Sequence, residues 1–129
     1  MERSRTSPMD DTLGFTLIEI AEGRAVWAGT PGPHVLNPMR IAHGGYAATM
    51  LDSACGIAVL TTLAVDQKFS TLELKVAYHK AIDPQTGPVR AEGSVLTRGR
   101  RIAYAEARLI DANGDLLASA TSTLIILSE

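Results

Sequence analysis

The sequence predicts an α+β protein in which one long central helix is wrapped by a curved antiparallel sheet, and three observations carry that prediction. Residues 42–60 are almost without interruption apolar or small. Everything after residue 64 reads as strand and turn. The later strand patterns are joined by short hairpin connections, which makes the sheet antiparallel. A helix that is apolar all round needs cover all round. A meandering antiparallel sheet has one face to bury, and a strongly curved one satisfies both needs. With 129 residues the chain can bury one core and is too short for two ordinary domains.

Each element follows from local pattern. Residues 1–12, MERSRTSPMDDT, are polar and charged and read as a flexible N-terminal tail, leaving 13–129 as a single domain. In GFTLIEIAEGRAVWAG, Phe15, Leu17 and Glu19 alternate with Thr16, Ile18 and Ile20, and Glu22-Gly23 is a turn signal, so a hairpin is expected. TPGPHVLNP is loop, set by three prolines and a glycine. The helix then begins near His43 and runs to about Ala64. STLELKVAY places Leu72, Leu74, Val76 and Tyr78 on one face of a strand and Thr71, Glu73, Lys75 and Ala77 on the other. AIDPQTGP is loop. VRAEGSVL and RIAYAEARLI are strands joined through TRGR, and DANGD contains Asn113-Gly114, the strongest hairpin signal in the chain. LLASATSTLIIL is the last strand. Its TLIIL is apolar on both faces, which suggests that a sheet face or edge is covered by another subunit.

The composition, 46% hydrophobic and 20% charged, is that of a soluble globular protein. A net charge of −2 gives no bulk attraction to nucleic acid or to anionic membranes. The N-terminus has no apolar signal core, and no clean run reaches the length of a membrane span, so a cytoplasmic protein is expected. The single cysteine, Cys55, excludes an internal disulfide and a cysteine-rich zinc site, and its apolar helix makes it a buried structural thiol. No cluster has metal-ligand spacing, so neither metal nor cofactor is expected.

One residue does not fit its surroundings. Asp52 stands in the middle of the apolar helix, where a carboxylate is costly unless paired or used. Eight residues earlier, Gly44 and Gly45 open the same helix. Glycines there leave backbone N–H groups bare for close approach by a ligand, and those donors and the helix dipole would polarise a carbonyl oxygen. Eight residues of helix is about 12 Å, too far for one atom to meet both. Two copies packed antiparallel about a two-fold axis would bring Gly44 of one to Asp52 of the other.

Asn37, six residues on His43-Gly44-Gly45, then Asp52 and the Ser/Thr-led strand STLELKVAY form a pattern that resembles the hotdog-fold acyl-CoA thioesterases, specifically the phenylacetate-degradation (PaaI-like) subfamily. The resemblance runs from about Asn37 to Leu127. It implies the sheet-wrapped helix already inferred, assembled as a dimer or tetramer with sites across the dimer interface. It implies hydrolysis of an acyl- or aryl-acyl-CoA to free acid and coenzyme A, coenzyme A being part of the substrate. Asp52 matches the catalytic carboxylate, as general base or as nucleophile. Gly44 matches the glycine whose N–H binds the thioester oxygen, with Gly45 beside it. Asn37 matches the side chain that helps hold the thioester or the water. His43 matches the motif histidine, which orders the loop. Thr71 matches the hydroxyl that orients the carboxylate or water, and a one-residue slip would exchange it for Ser70. Where the subfamily often has an Arg-Pro pair this chain has YHKAIDP, so the coenzyme phosphates are assigned by charge alone to Lys80, Arg98, Arg100 and Arg101. Two rivals share the fold. A hotdog dehydratase or hydratase would need a catalytic histidine placed at the acyl chain. A non-catalytic acyl-CoA-binding protein would not need Asp52.

Overall fold

The computed structural model describes residues 7–128. A short helix α1 (Pro8–Leu13) leads into the hairpin β1 (Thr16–Ala21) and β2 (Arg24–Gly29). The long helix α2 (Gly44–Leu60) follows, then β3 (Gln67–Tyr78), β4 (Val89–Arg98), β5 (Ile102–Asp111) and β6 (Leu116–Ser128). The six strands form one antiparallel sheet in the order β1-β2-β4-β5-β6-β3. Helix α2 packs against β2, β3, β4, β5 and β6, so the sheet wraps it as the apolar run requires. Strands β1 and β3 are the free edges. Among the described residues no helix is long and apolar enough to cross a membrane.

Small side chains set how closely the sheet can wrap. Ala91, Ala103, Ala105, Ala107, Ala118 and Ala120 line the inner face, and Ala47, Ala54 and Ala58 meet them from α2, all buried. Met50, Leu51, Leu109 and Leu124 fill the remaining space and are fully buried. Interiors are close-packed, so these small residues bring the helix backbone near the sheet rather than leaving voids. Where β4 crosses the helix the separation is smallest. A Cβ on Gly93 would lie 2.6 Å from the carbonyl carbon of Ala54.

Four expectations need correction. The N-terminal tail is not free at residues 7–12: they belong to α1 and its N-cap, Ser7. The Asp10 carboxylate is buried and accepts hydrogen bonds from Ser7 Oγ (2.6 Å) and from Ser53 Oγ of α2 (2.8 Å). Residues 1–6 lie outside the described residues. Helix α2 stops at Leu60, short of Ala64, because the hydroxyls of Thr61 and Thr62 turn back onto the carbonyls of Ala58 and Val59, each at 2.7 Å. Nor is α2 enclosed all round. Gly45, Ala48, Thr49, Asp52, Ser53, Ile57 and Leu60 form a stripe that one chain leaves partly open. Asp52 on this stripe is half-buried rather than buried.

The fourth correction concerns β3. Its pairing with β6 runs Thr71↔Leu124 and then Glu73↔Thr123, so Leu72 is a bulge without a partner. A bulge adds one residue and shifts the face of everything before it. Thr71 therefore shares the inner face with Leu74 and Val76, while Leu72, expected inside, is 57% exposed. On β6, Leu124 and Ile126 are buried, whereas Ile125 and Leu127 lie on the outer face, which one chain leaves open.

Candidate functional site

The loop before α2 is held by its own side chains. Asn37 Oδ1 accepts from the N–H groups of Met39 (2.9 Å) and Ile41 (3.4 Å). That turn carries Arg40 at φ 64°, the left-handed region. The Asn37 Nδ2 donor has no hydrogen-bond partner among the described residues. His43 is the N-cap of α2, and its Nδ1 accepts from Gly45 N–H at 2.8 Å. Tyr46 N–H is bonded to His43 O at 2.9 Å. Of the first three N–H groups of the helix, Gly44's alone has no acceptor among the described residues. Helix N-termini leave such donors unsatisfied, and the dipole adds partial positive charge there.

A cavity of about 360 Å³ opens beside these groups. Asn37, His43, Gly44, Tyr78, Lys80 and Ile82 line it. Ala42, Ala47, Leu117 and Ala118 make much of the rest apolar. Such a lining can take an apolar group, and an N–H without an acceptor can bind an oxygen.

Asp52 does not line this cavity. It lies two turns further along α2, where Thr71 Oγ1 donates to its Oδ1 at 3.0 Å. The β3 bulge makes this contact possible. With regular alternation Thr71 would face outward. Ser70, the alternative to Thr71, is exposed on the outer face, paired with Ile125, and makes no contact with Asp52. Thr71→Val keeps the shape and removes the donor. We expect turnover to fall about 10-fold, as for a lost orienting hydrogen bond to a charged group, with KM nearly constant; steady-state kinetics checks it.

The cations assigned by charge are placed apart from one another. Lys80 reaches the cavity wall but is paired with Asp115 at 2.8 Å and Asp111 at 3.8 Å. Its hydrogen bond and ion pair with Asp115 hold its ammonium pKa above the ordinary lysine value. Arg98 is occupied at the C-terminal end of α2. It donates to Thr62 Oγ1 (3.3 Å), Gln67 Oε1 (3.1 Å) and Gly99 O (2.7 Å), where a cation complements the helix dipole. Arg100 and Arg101 are exposed at the β4–β5 hairpin tip, also near that end of α2. The 17-residue helix separates that end from Gly44 by roughly 24 Å. Cys55 is fully buried, and burial, reinforced by the Asp52 charge, pushes its thiol up to about 12, which keeps it from acting as a nucleophile.

Sequence reasoning passed over Tyr78, whose hydroxyl donates to the Gly44 carbonyl at 2.7 Å. Its position at the end of β3 gave no signal, because only the fold brings residues 44 and 78 together. It also passed over the Ser53–Asp10 bond. There a signal existed: Ser7-Pro8 followed by Asp10-Asp11 is a helix start with proline at the first position and acids in the first turn.

One long helix wrapped by a six-stranded antiparallel sheet is the hotdog fold. Residues 39–118 match the profile of the Thioesterase superfamily, and the chain belongs to that family of thioester hydrolases. A Saccharolobus solfataricus protein provisionally named an esterase is 32% identical over 117 residues, 89% of this chain and 80% of that one. A variant structure of the phenylacetic acid degradation protein PaaI from Thermus thermophilus is 27% identical, with TM-score 0.84 over 92% of this chain and 98% of that one. AziG of S. sahachiroi gives TM-score 0.93 over 97% of this chain and 100% of that one; at 22% identity it shows the fold alone.

Proposed function

We propose that this thioester hydrolase acts on acyl- or aryl-acyl-CoA, with Asp52 as general base or nucleophile and the Gly44 N–H polarising the thioester carbonyl. One observation carries the proposal: the Gly44 N–H, at the start of α2, has no acceptor among the described residues, and Gly44 lines a largely apolar cavity of about 360 Å³. In the base route, Asp52 takes a proton from water as the water oxygen attacks the carbonyl carbon. The oxyanion forms against the Gly44 N–H, and collapse breaks the C–S bond. In the nucleophile route, the carboxylate attacks first, coenzyme A leaves, and water cleaves the resulting anhydride. A thiol of pKa near 8.5 leaves as thiolate without a strong acid. That agrees with a His43 whose Nδ1 is committed to the backbone. Neither route uses a metal or cofactor.

Asp52 and Gly44 of one chain are about 12 Å apart along α2, so we assign each site to two copies of a cytoplasmic dimer or tetramer. The open stripe on α2, with Asp52 within it, and the free edge of β3 beside it support this. An antiparallel second copy covers both and carries its Gly44 toward Asp52.

A panel of aliphatic and aromatic acyl-CoAs with detection of released thiol tests the proposal. Release of free coenzyme A with at least one of them is expected. Failure with all of them, or hydration of an enoyl-CoA without thiol release, would contradict it.

A further inference from the structure

We propose that Tyr78 is a positioning residue of the hydrolytic site: its hydroxyl locks the Gly44–Gly45 peptide, and with the preceding His43–Gly44 peptide held by the Tyr46 N–H on His43 O (2.9 Å), rotation at Gly44 is restrained from both sides and its N–H is aimed. The inference rests on the assignment of that N–H as the carbonyl donor. Two successive glycines give the first turn of α2 more backbone freedom than any other pair would. A donor that stabilises a transition state must be preorganised, so this freedom has to be removed. The structure removes it at both ends of one peptide unit. The Gly45 N–H donates to His43 Nδ1 at 2.8 Å, and the Gly44 carbonyl accepts from Tyr78 Oη at 2.7 Å.

The phenol packs tightly against Gly44. A Cβ there would stand 3.0 Å from Tyr78 Oη and 3.3 Å from Cζ. The phenol thus occupies the side-chain space of residue 44 and takes over its task of restraint. Tyr78 is also the last residue of β3, opposite Ala118, and lines the same cavity as Gly44. The strand whose bulge turns Thr71 onto Asp52 therefore ends in the residue that pins Gly44. One edge strand references both halves of the chemistry. Because the Tyr78 proton is directed to Gly44 O, the phenol acts through the backbone and not on the substrate.

Tyr78→Phe keeps the ring and deletes the hydrogen bond. Two readouts are needed: steady-state hydrolysis of the best acyl-CoA, and amide hydrogen exchange at Gly45. We expect kcat to fall about 10-fold with KM changed less than about twofold, because the lost restraint matters most in the transition state. Exchange at Gly45 should accelerate several-fold with the melting temperature nearly unchanged. Unchanged kcat in a protein that Asp52→Asn inactivates would overturn this inference and leave the hydrolytic assignment standing. Unchanged exchange at Gly45 would overturn it whatever the activity. A wild-type protein that releases no coenzyme A would sink the parent assignment and this inference with it.

Discussion

Asp52→Asn is expected to lower turnover by at least about 100-fold, the scale of losing a positioned base, or nearly 3 kcal/mol of transition-state stabilisation. The amide is the same size as the carboxylate, and its oxygen can still accept from Thr71 Oγ1, now at 3.0 Å from Asp52 Oδ1. What it loses is the charge that, in the proposed mechanism, takes a proton or attacks a carbonyl. Because Asp52 is half-buried and makes no ion pair among the described residues, its charge is not needed to hold α2. The melting temperature should therefore stay within a few degrees of wild type, as for a surface-like substitution. Near-normal turnover would remove Asp52 from the chemistry. A large fall in melting temperature would make its role structural.

The second large effect is on stability. Gly93→Ala puts a methyl group 2.6 Å from the Ala54 carbonyl carbon and 3.0 Å from its Cβ. The obstacle is mostly helix backbone in the middle of α2, so no side-chain rotation relieves it. Either β4 or α2 must retreat, and the small residues packed around them lose contact together. Overpacking of a close-packed core commonly costs 1–3 kcal/mol, and here we expect about 3 kcal/mol or more. Gly56→Ala is the control. Its methyl would meet the end of the Phe69 ring at 2.7 Å, and that side chain, only partly buried on the edge strand, can swing away. Urea denaturation should rank Gly93→Ala well below Gly56→Ala. The reverse order would show that the sheet is not held to the helix at Gly93.

Periodicity made most of this architecture legible. The apolar run over residues 42–60 marked α2, and Asn113-Gly114 and Arg98–Arg101 marked the hairpins on either side of β5. What pattern cannot show is where a strand breaks its own period. The Leu72 bulge leaves no trace in STLELKVAY, yet it decides that Thr71 rather than Ser70 meets Asp52. Charge was the weakest guide. Lys80 is matched to Asp115, 35 residues away, only because the β5–β6 turn folds beside it, and Arg98 is spent on the end of α2. Nothing local to either residue announces such a partner. The roles expected of Asn37, Gly44 and Asp52 are those the family resemblance implies, and their joint spacing is what carries that resemblance. The spacing names them as a set, and the fold then shows Asn37 and Gly44 lining one cavity that Asp52 does not line.

Under the proposed mechanism that separation means two chains complete one site, and this is the central claim. Asp52→Ala and Asn37→Ala are each expected to be inactive. When the two are unfolded, mixed and refolded together, a hybrid dimer has one site with both damaged residues and one with neither. Random pairing makes half the dimers hybrids with one intact site each, so roughly a quarter of wild-type activity should return under two-fold symmetry. If Asp52 served the Asn37 and Gly44 of its own chain, every site would stay broken. No recovery, in a mixture whose hybrids are confirmed by mass, would contradict the shared site.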